Sequence, residues 1–536
     1  MTRTSFLLSA GLLTASVAAA PAPIVHPRQS NQTSSTVTFD QITPSPLIHW
    51  QDCYDDGFQC TYLTVPLDYA DLSVGTTDVA FIRYFVSEDA EDLLYNPGGP
   101  GGSGVESFTD GGWGPVLAKQ WKGYNPVSFD PRGVKNTKPS LACSYDNNNT
   151  TLIRRDLDTL GDMRAIWDTG LKKNAACAQA NQHNDAMYVG TSAVVQDMVH
   201  FTELQAALKG KEPSKALINY YGVSYGTLIG QTLVAMYPDR VRRVLLDGNV
   251  YGVAHYQGWE PSGIDDFAHA IWLYSQLCYK AGPKWCPLAE DAKSGEEVQA
   301  RINLVVEALK EKPLKQGDMT FDDTTYLNLV QQNLYSPRQK GNGFVSLAEY
   351  TIEAANGTAS QMLKVKRDNP TDTSDAALGI ITAVDIAGRY PWSTYEQWKA
   401  ATEKLALTAP YGAKGYAGLN GIIGLAANII PPKSQFFPGF KAVKPSANVL
   451  FVNTVADPVT PMSSARQMSK LFAGSSVLIV DGPGHGYVSA PSKCANAIIA
   501  NYFATGAVPV EETWCDPDVK AEYYFGADAD ASKDGQ

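Results

Sequence analysis

Histidine is scarce, with seven in 536 residues, and no H-E-x-x-H or C-x-x-C pair occurs. A metalloenzyme of the common types is therefore a poor expectation. Basic side chains are outnumbered, 43 Lys and Arg against 55 Asp and Glu, for a formal net charge of −12. That argues against a nucleic-acid or anionic-membrane partner, each of which calls for a basic surface. Charged residues make up only 18% of the chain and hydrophobic ones 44%, as in a globular protein and unlike a disordered one. No run of about 20 apolar residues follows the N-terminal segment, so no membrane-spanning helix is expected there. The absence of a repeat period excludes a solenoid or propeller array. The length suggests two to four structural units.

What is present begins with a targeting pattern. Arg3 supplies a positive charge, an apolar run extends from Phe6 to Ala20, and it ends in Ala18-Ala19-Ala20 before Pro21. Residues 1–20 read as a secretory signal peptide, and 21–36, rich in Pro, Ser, Thr and Gln, as a mobile segment. Secretion to the extracellular space gives the eight cysteines a meaning, because an even count in an oxidising compartment suggests four disulfides. Taken as sequential couples they are Cys53–Cys60, Cys143–Cys177, Cys278–Cys286 and Cys494–Cys515, although sequence alone does not fix the pairing. Asn31, Asn148, Asn149 and Asn356 stand in N-x-[ST] sequons open to glycosylation.

Short apolar segments rich in β-branched and aromatic residues read as strands: 79–86, 92–96, 126–130, 216–221, 241–246, 449–453 and 477–480. Most lack polar alternation, as in a parallel sheet buried on both faces. Helical spacing over 192–208 and 227–236 places helices between them, which implies a three-layer α/β fold. Residues 251–444 break this rhythm with mainly helical patterns and read as an inserted cap. The core then comprises 37–250 and 445–520, and 521–536 is expected to be a flexible tail.

The chemistry centres on Gly222-Val-Ser224-Tyr-Gly226, a G-x-S-x-G between strand and helix. Backbone crowding at such a turn demands glycine on both sides of a nucleophile, and the turn lifts Ser224 out of the sheet. A serine hydroxyl needs a base. His255 and His269 follow in the inserted region, but His485, in Asp481-Gly-Pro-Gly-His485-Gly, lies by the C-terminal strands where a base can reach the sheet edge. The acid expected from chain order is Asp457, just past the strand 449–453; Asp481 is its rival. The loop Asn96-Pro-Gly-Gly99-Pro-Gly-Gly-Ser-Gly104 could cradle a phosphate, yet it lacks a P-loop Lys-Ser/Thr ending and G-x-G-x-x-G spacing. It fits an oxyanion loop better, with the Gly99 and Tyr225 N–H groups as candidate donors.

Taken in order, NPGGPGGSG (96–104), FDPRG (129–133), GVSYGT (222–227), LLDGNV (245–250), ADPVTP around Asp457 and GPGHG (482–486) resemble the secreted tripeptidyl-aminopeptidase branch of the α/β-hydrolases, related to prolyl aminopeptidases. The resemblance covers most of the mature chain and includes that family's C-terminal domain. It implies an α/β-hydrolase fold with a mostly parallel central sheet flanked by helices and a mainly helical cap. It also implies cofactor-free hydrolysis by Ser224, Asp457 and His485, with Gly99 and Tyr225 at the oxyanion. Cap acids in such exopeptidases hold the substrate's free amine, which makes Glu260, Asp265, Asp266 and Asp385 candidates beside the plainer reading of solvated carboxylates. Where the family often has Cys-x-Asp, this chain has Ala383-Val-Asp385, so the cap is expected to be remodelled.

Three functions compete. The first is an exopeptidase releasing short peptides or single residues from free N-termini. The second is a secreted esterase, lactonase or amidase acting on a small acyl compound, since fold does not settle substrate. The third is a non-catalytic binding protein, against which the intact Ser, Asp and His argue.

Overall fold

Ten strands form one twisted sheet. They are β1 (Gln51–Asp52), β2 (Phe58–Pro66), β3 (Thr76–Tyr84), β4 (Glu91–Asn96), β5 (Tyr124–Phe129), β6 (Ile218–Val223), β7 (Val241–Asp247), β10 (Val449–Ala456), β11 (Ser476–Pro483) and β12 (Thr513–Cys515); a separate hairpin is made by β8 (Leu314–Gln316) and β9 (Met319–Phe321). The structure is a computed structural model, which describes residues 37–55, 57–143, 162–316, 319–359, 373–419 and 421–527. The sheet order is β1-β2-β3-β5-β4-β6-β7-β10-β11-β12. Pairing is antiparallel as far as β3–β5 and parallel from there to β12.

Period-two alternation sorts the side chains of these strands into two cores. Tyr220, Leu246 and Ile479 face one layer, with Val194 and Met198 of the helix Thr191–Leu208 and Leu228 of the helix Tyr225–Met236. Tyr221, Leu245 and Val480 face the other, with Ile499 and Tyr502 of the helix Lys493–Thr505. Every residue of β6 and of β10 is buried, as continuous apolar strands in a covered parallel sheet require. Where sequence places 216–221 and 227–236, the structure has the strand over Ile218–Val223 and the helix from Tyr225, because Gly222 and Gly226 let strand and helix close on Ser224 without an intervening loop. The strands β1, β2 and β12 carry no clear apolar run and are additions to the expected set.

Because β4 lies between β5 on one side and β6 on the other, the chain reverses its winding there. A crevice opens at the carboxyl ends of the strands at such a point. Four disulfides join Cys53 to Cys60, Cys143 to Cys177, Cys278 to Cys286 and Cys494 to Cys515. Between β7 and β10 the chain is chiefly helical, including Phe267–Ala281, Gly295–Glu311, Asp323–Tyr335, Phe344–Ala355, Thr373–Ile386 and Tyr395–Ala406. The segment from 521, expected as a flexible tail, instead opens with a short helix, Ala521–Tyr524. Its aromatic residues supply the reason: Tyr524 and Phe525 are buried, and Phe525 packs against Phe344 and Tyr274 with centroids 5.4 and 5.8 Å apart. Asn356 is exposed. The signal-peptide segment, residues 21–36, Asn31, Asn148, Asn149 and residues 528–536 lie outside the described residues. Among the described residues no helix is long and apolar enough to cross a membrane.

Candidate active site

Ser224 is held between β6 and its helix at φ 58° and ψ −127°, a conformation a serine adopts only when its surroundings enforce it. Its N–H donates to the Asp247 carbonyl at the end of β7 (2.9 Å), and its carbonyl accepts from the Thr227 N–H and hydroxyl at 2.7 and 2.6 Å. A Cβ on Gly222 would lie 2.3 Å from the Gly226 carbonyl oxygen, and one on Gly226 would lie 2.5 Å from that of Asn96. Both glycines are thus dictated by backbone contact.

The loop after β4 presses on this turn. A Cβ on Gly98 would stand 2.7 Å from the Ser224 Cβ and 3.2 Å from the Tyr225 nitrogen. Gly98 and Gly99 have φ of 106° and 125°, open to glycine alone. The Asn96 side chain accepts from the Gly98 N–H (2.9 Å). At the far end of the loop, Asp130 accepts from the Ser103 hydroxyl (2.6 Å) and the Val105 N–H (3.1 Å). Arg132, two residues on, makes a buried two-pronged bond to Asp197 of the helix Thr191–Leu208, each contact 2.7 Å. The Phe129–Gly133 motif therefore staples the glycine loop to the framework.

His485 and Asp457 are both wholly buried. His485 Nδ1 donates to Asp457 Oδ2 at 2.8 Å. Asp457 Oδ1 accepts from the Val459 and Thr460 N–H groups (3.0 and 2.9 Å), and the Thr460 hydroxyl donates to Oδ2 at 2.8 Å while lying 2.9 Å from Nδ1. These donors fix the carboxylate, which in turn fixes the orientation of the imidazole. Gly248 leaves room for the ring, since a Cβ there would meet His485 Cε1 at 2.8 Å. Asp481, the rival acid, is exposed. His269 packs against Trp272 on the helix Phe267–Ala281.

Three neighbours of His485 escaped the sequence reading. Thr460 could have been suspected from the Asp-Pro-Val-Thr turn, in which the third residue on can cap an aspartate. Asp247 lies in the Leu-Leu-Asp-Gly run; buried, and accepting from the Tyr487 N–H (2.9 Å) and Tyr221 hydroxyl (3.1 Å), its carboxyl is pushed up to about 7, chiefly by desolvation. Tyr335 carries no signal in the sequence. It reaches the site from the inserted helices, its ring centroid 4.4 Å from that of His485.

The four acids proposed for the cap occupy different settings. Glu260 accepts from the Tyr251 N–H (3.0 Å), and burial pushes its carboxyl up to about 8; no lysine or arginine pairs with it among the described residues. Asp266 accepts from the Met462 N–H (3.0 Å) and is pushed up to about 7 by burial and then by the Asp457 charge. Asp265 is exposed, with the Ser463 hydroxyl 3.3 Å away. Asp385 is already occupied: it accepts from the Thr191 N–H (2.7 Å) and hydroxyl (2.6 Å) and lies 3.1 Å from His255 Nε2. The Thr191 hydroxyl in turn stands 2.6 Å from that of Tyr225. This carboxylate ties the helix Thr373–Ile386 to the residue after Ser224. Among the described residues no three His, Cys, Asp or Glu side chains converge as around a metal ion.

Residues 93–277 match the family described as alpha/beta hydrolase fold, and residues 430–515 match the one described as TAP-like protein. The chain has the α/β-hydrolase fold, with a C-terminal part that matches the TAP-like family. The first match holds Gly99, Ser224 and Tyr225, and the second holds Asp457 and His485. Serine protease Hip1 of Mycobacterium tuberculosis is 26% identical over 474 residues, covering 86% of this chain and 87% of that protein. Tripeptidyl aminopeptidase of Streptomyces lividans is 26% identical over 499 residues, covering 88% and 87%. Carboxylesterase B of Mycobacterium tuberculosis is 25% identical over 541 residues, covering 96% and 98%. Hydrolysis is the chemistry named for these relatives and for the fold family, and the chain is a hydrolase.

Proposed function

We propose that the protein is a secreted serine exopeptidase that removes short peptides or single residues from free N-termini through an acyl-enzyme. The observation that carries the reading is the buried His485–Asp457 bond of 2.8 Å at the rim that also holds Ser224 in its strained turn. His485 Nε2 takes the Ser224 proton as Oγ attacks the scissile carbonyl, and the Asp457 carboxylate stabilises the imidazolium that forms. The Gly99 and Tyr225 N–H groups receive the oxyanion, each such donor contributing typically ~3 kcal/mol to the transition state. His485 then protonates the leaving amine, and water repeats the sequence to release the acyl group.

Residues 251–444 act as the cap. Within it we assign the substrate ammonium to Glu260, a desolvated carboxyl with no lysine or arginine paired to it among the described residues. An ammonium there would draw the raised carboxyl back to its charged form. Four disulfides fit an oxidising compartment, in keeping with the apolar segment at the N-terminus. The carboxylesterase relative favours a second reading, an esterase on a small acyl substrate with the same three residues. Tripeptidyl amides with free and acetylated N-termini separate the two. The exopeptidase rejects the acetylated form, whereas an esterase is indifferent to the amine. Ser224→Ala abolishes turnover of every substrate while the circular dichroism spectrum is unchanged; undiminished hydrolysis by that variant removes the reading.

A further inference from the structure

The sequence of steps just given leaves one buried polar group at the reacting centre without a task. Tyr335 ends the helix Asp323–Tyr335. The residue is part-exposed, yet its hydroxyl is fully buried. Its position is fixed on the histidine twice over. The His485 N–H donates to the Tyr335 carbonyl at 2.8 Å, and the phenol ring lies over the imidazole with centroids 4.4 Å apart and planes tilted by 37°. The hydroxyl is thereby brought into the range of a hydrogen-bonding interaction with the Ser224 side chain, but without a well-formed hydrogen bond to any group. His485 Nε2 is likewise buried and unpartnered.

A buried phenol without a partner costs free energy, and such groups persist where a ligand completes them. Here two unpartnered polar atoms belong to stacked rings, and one of them, the phenol hydroxyl, lies by the Ser224 side chain, so a group bonded to that serine is the one that would complete it. We infer that Tyr335 is a further catalytic residue, whose hydroxyl donates a hydrogen bond to the tetrahedral intermediate formed on Ser224. The inference rests on the reading of Ser224 as nucleophile. The phenol transfers no proton: the serine proton passes to His485 and then to the leaving group, while Tyr335 stays a neutral donor throughout. Burial holds its hydroxyl far above the ordinary phenol range, which keeps it in that form. Because Tyr335 comes from the inserted helices, the reacting centre is complete only when that region is seated on the sheet edge.

Tyr335→Phe keeps the ring and removes the oxygen alone. In the full-length protein, with a free tripeptidyl fluorogenic amide, kcat falls by roughly 10²-fold and KM stays within about threefold, as for loss of an oxyanion donor. Reaction of Ser224 with a serine-directed phosphonate, whose adduct is tetrahedral, slows in step. Titrating active sites with the phosphonate normalises kcat to folded enzyme, so a destabilised variant still reports on the hydroxyl. A kcat within twofold of the parent overturns the inference, and so does a rise in KM with kcat unchanged. Failure of the parent itself to be labelled at Ser224 would overturn the nucleophile assignment along with it, whereas labelling with an unaffected Tyr335→Phe sinks the tyrosine alone.

Discussion

Asp457 meets His485 through one oxygen and is anchored by the Val459 and Thr460 amides through the other. That division of labour predicts the effect of Asp457→Asn. The side-chain carbonyl of asparagine keeps the two backbone donors, which leaves its NH2 group facing His485 Nδ1. Nδ1 must then accept, the imidazole proton moves to Nε2, and the base can no longer take the serine proton. The expected result is a fall in kcat of about 10⁴-fold, as when a triad carboxylate is replaced by its amide, with the unfolding midpoint changed little because the packing is isosteric. Retention of more than a tenth of parent kcat would show that the imidazole is oriented by another group, and Asp247 is the carboxylate at hand. At this scale the sequence was informative where chemistry has a local spacing. Ser224 lies between two glycines, His485 sits in a glycine-rich loop, and Asp457 follows a strand, and each of these is visible along the chain. Thr460 was half-visible, three residues after the aspartate it bonds. Tyr335 and the Asp385–Thr191–Tyr225 linkage were not visible at all, because the partners are brought together by packing across 111 and 194 residues of chain, respectively, for Tyr335 with Ser224 and Asp385 with Thr191.

The loop after β4 is the element on which the geometry is least forgiving. At Gly98 an added Cβ meets backbone and near-backbone atoms, the Val223 carbonyl at 2.6 Å and the Ser224 Cβ at 2.7 Å, and φ is 106°. None of these can swing aside as a flexible side chain would. Gly98→Ala is expected to lower kcat by at least about 100-fold by displacing the serine and the neighbouring amide donors, and to cost roughly 1–3 kcal/mol in urea unfolding from the enforced φ alone. Gly439→Ala is the matched control. Its φ is 109° but nothing lies within 4 Å of the added Cβ, so it carries the backbone strain without the collision and leaves kcat intact. Equal losses of activity in both variants would mean that contact with the elbow is immaterial. Among the elements, the parallel strands were legible because they are continuous apolar runs, and their helices because the apolar spacing is regular. The strand β2 mixes Thr, Gln and Pro with its apolar residues, and β12 has only three residues, so neither stands out from a loop.

For the molecule as a whole, the two cores and the sheet order follow from patterns spread along the chain, while the arrangement of the inserted helices depends on contacts that no periodicity announces. Its electrostatics make a prediction of their own. Glu260 is pushed up to about 8, and Asp266 and Asp247 to about 7, all chiefly by burial. Their carboxyls are ordinarily near 4 in an unfolded chain. Between those values the folded protein holds protons that the unfolded chain has released, so the unfolding free energy falls as pH rises, by up to about 1.4 kcal/mol per pH unit for each group. Stability is therefore greatest in mildly acidic solution and declines from about pH 5 to pH 8. The net charge of −12 pushes the same way, and a substitution separates the two causes. Glu260→Gln and Glu307→Gln each remove one carboxyl, but Glu307 is exposed on the helix Gly295–Glu311. Thermal unfolding across this pH range should show a shallower slope for Glu260→Gln and the parent slope for Glu307→Gln. Identical slopes in the two variants would mean that Glu260 holds no proton in the folded state, and that its carboxylate is already charged before any ammonium arrives.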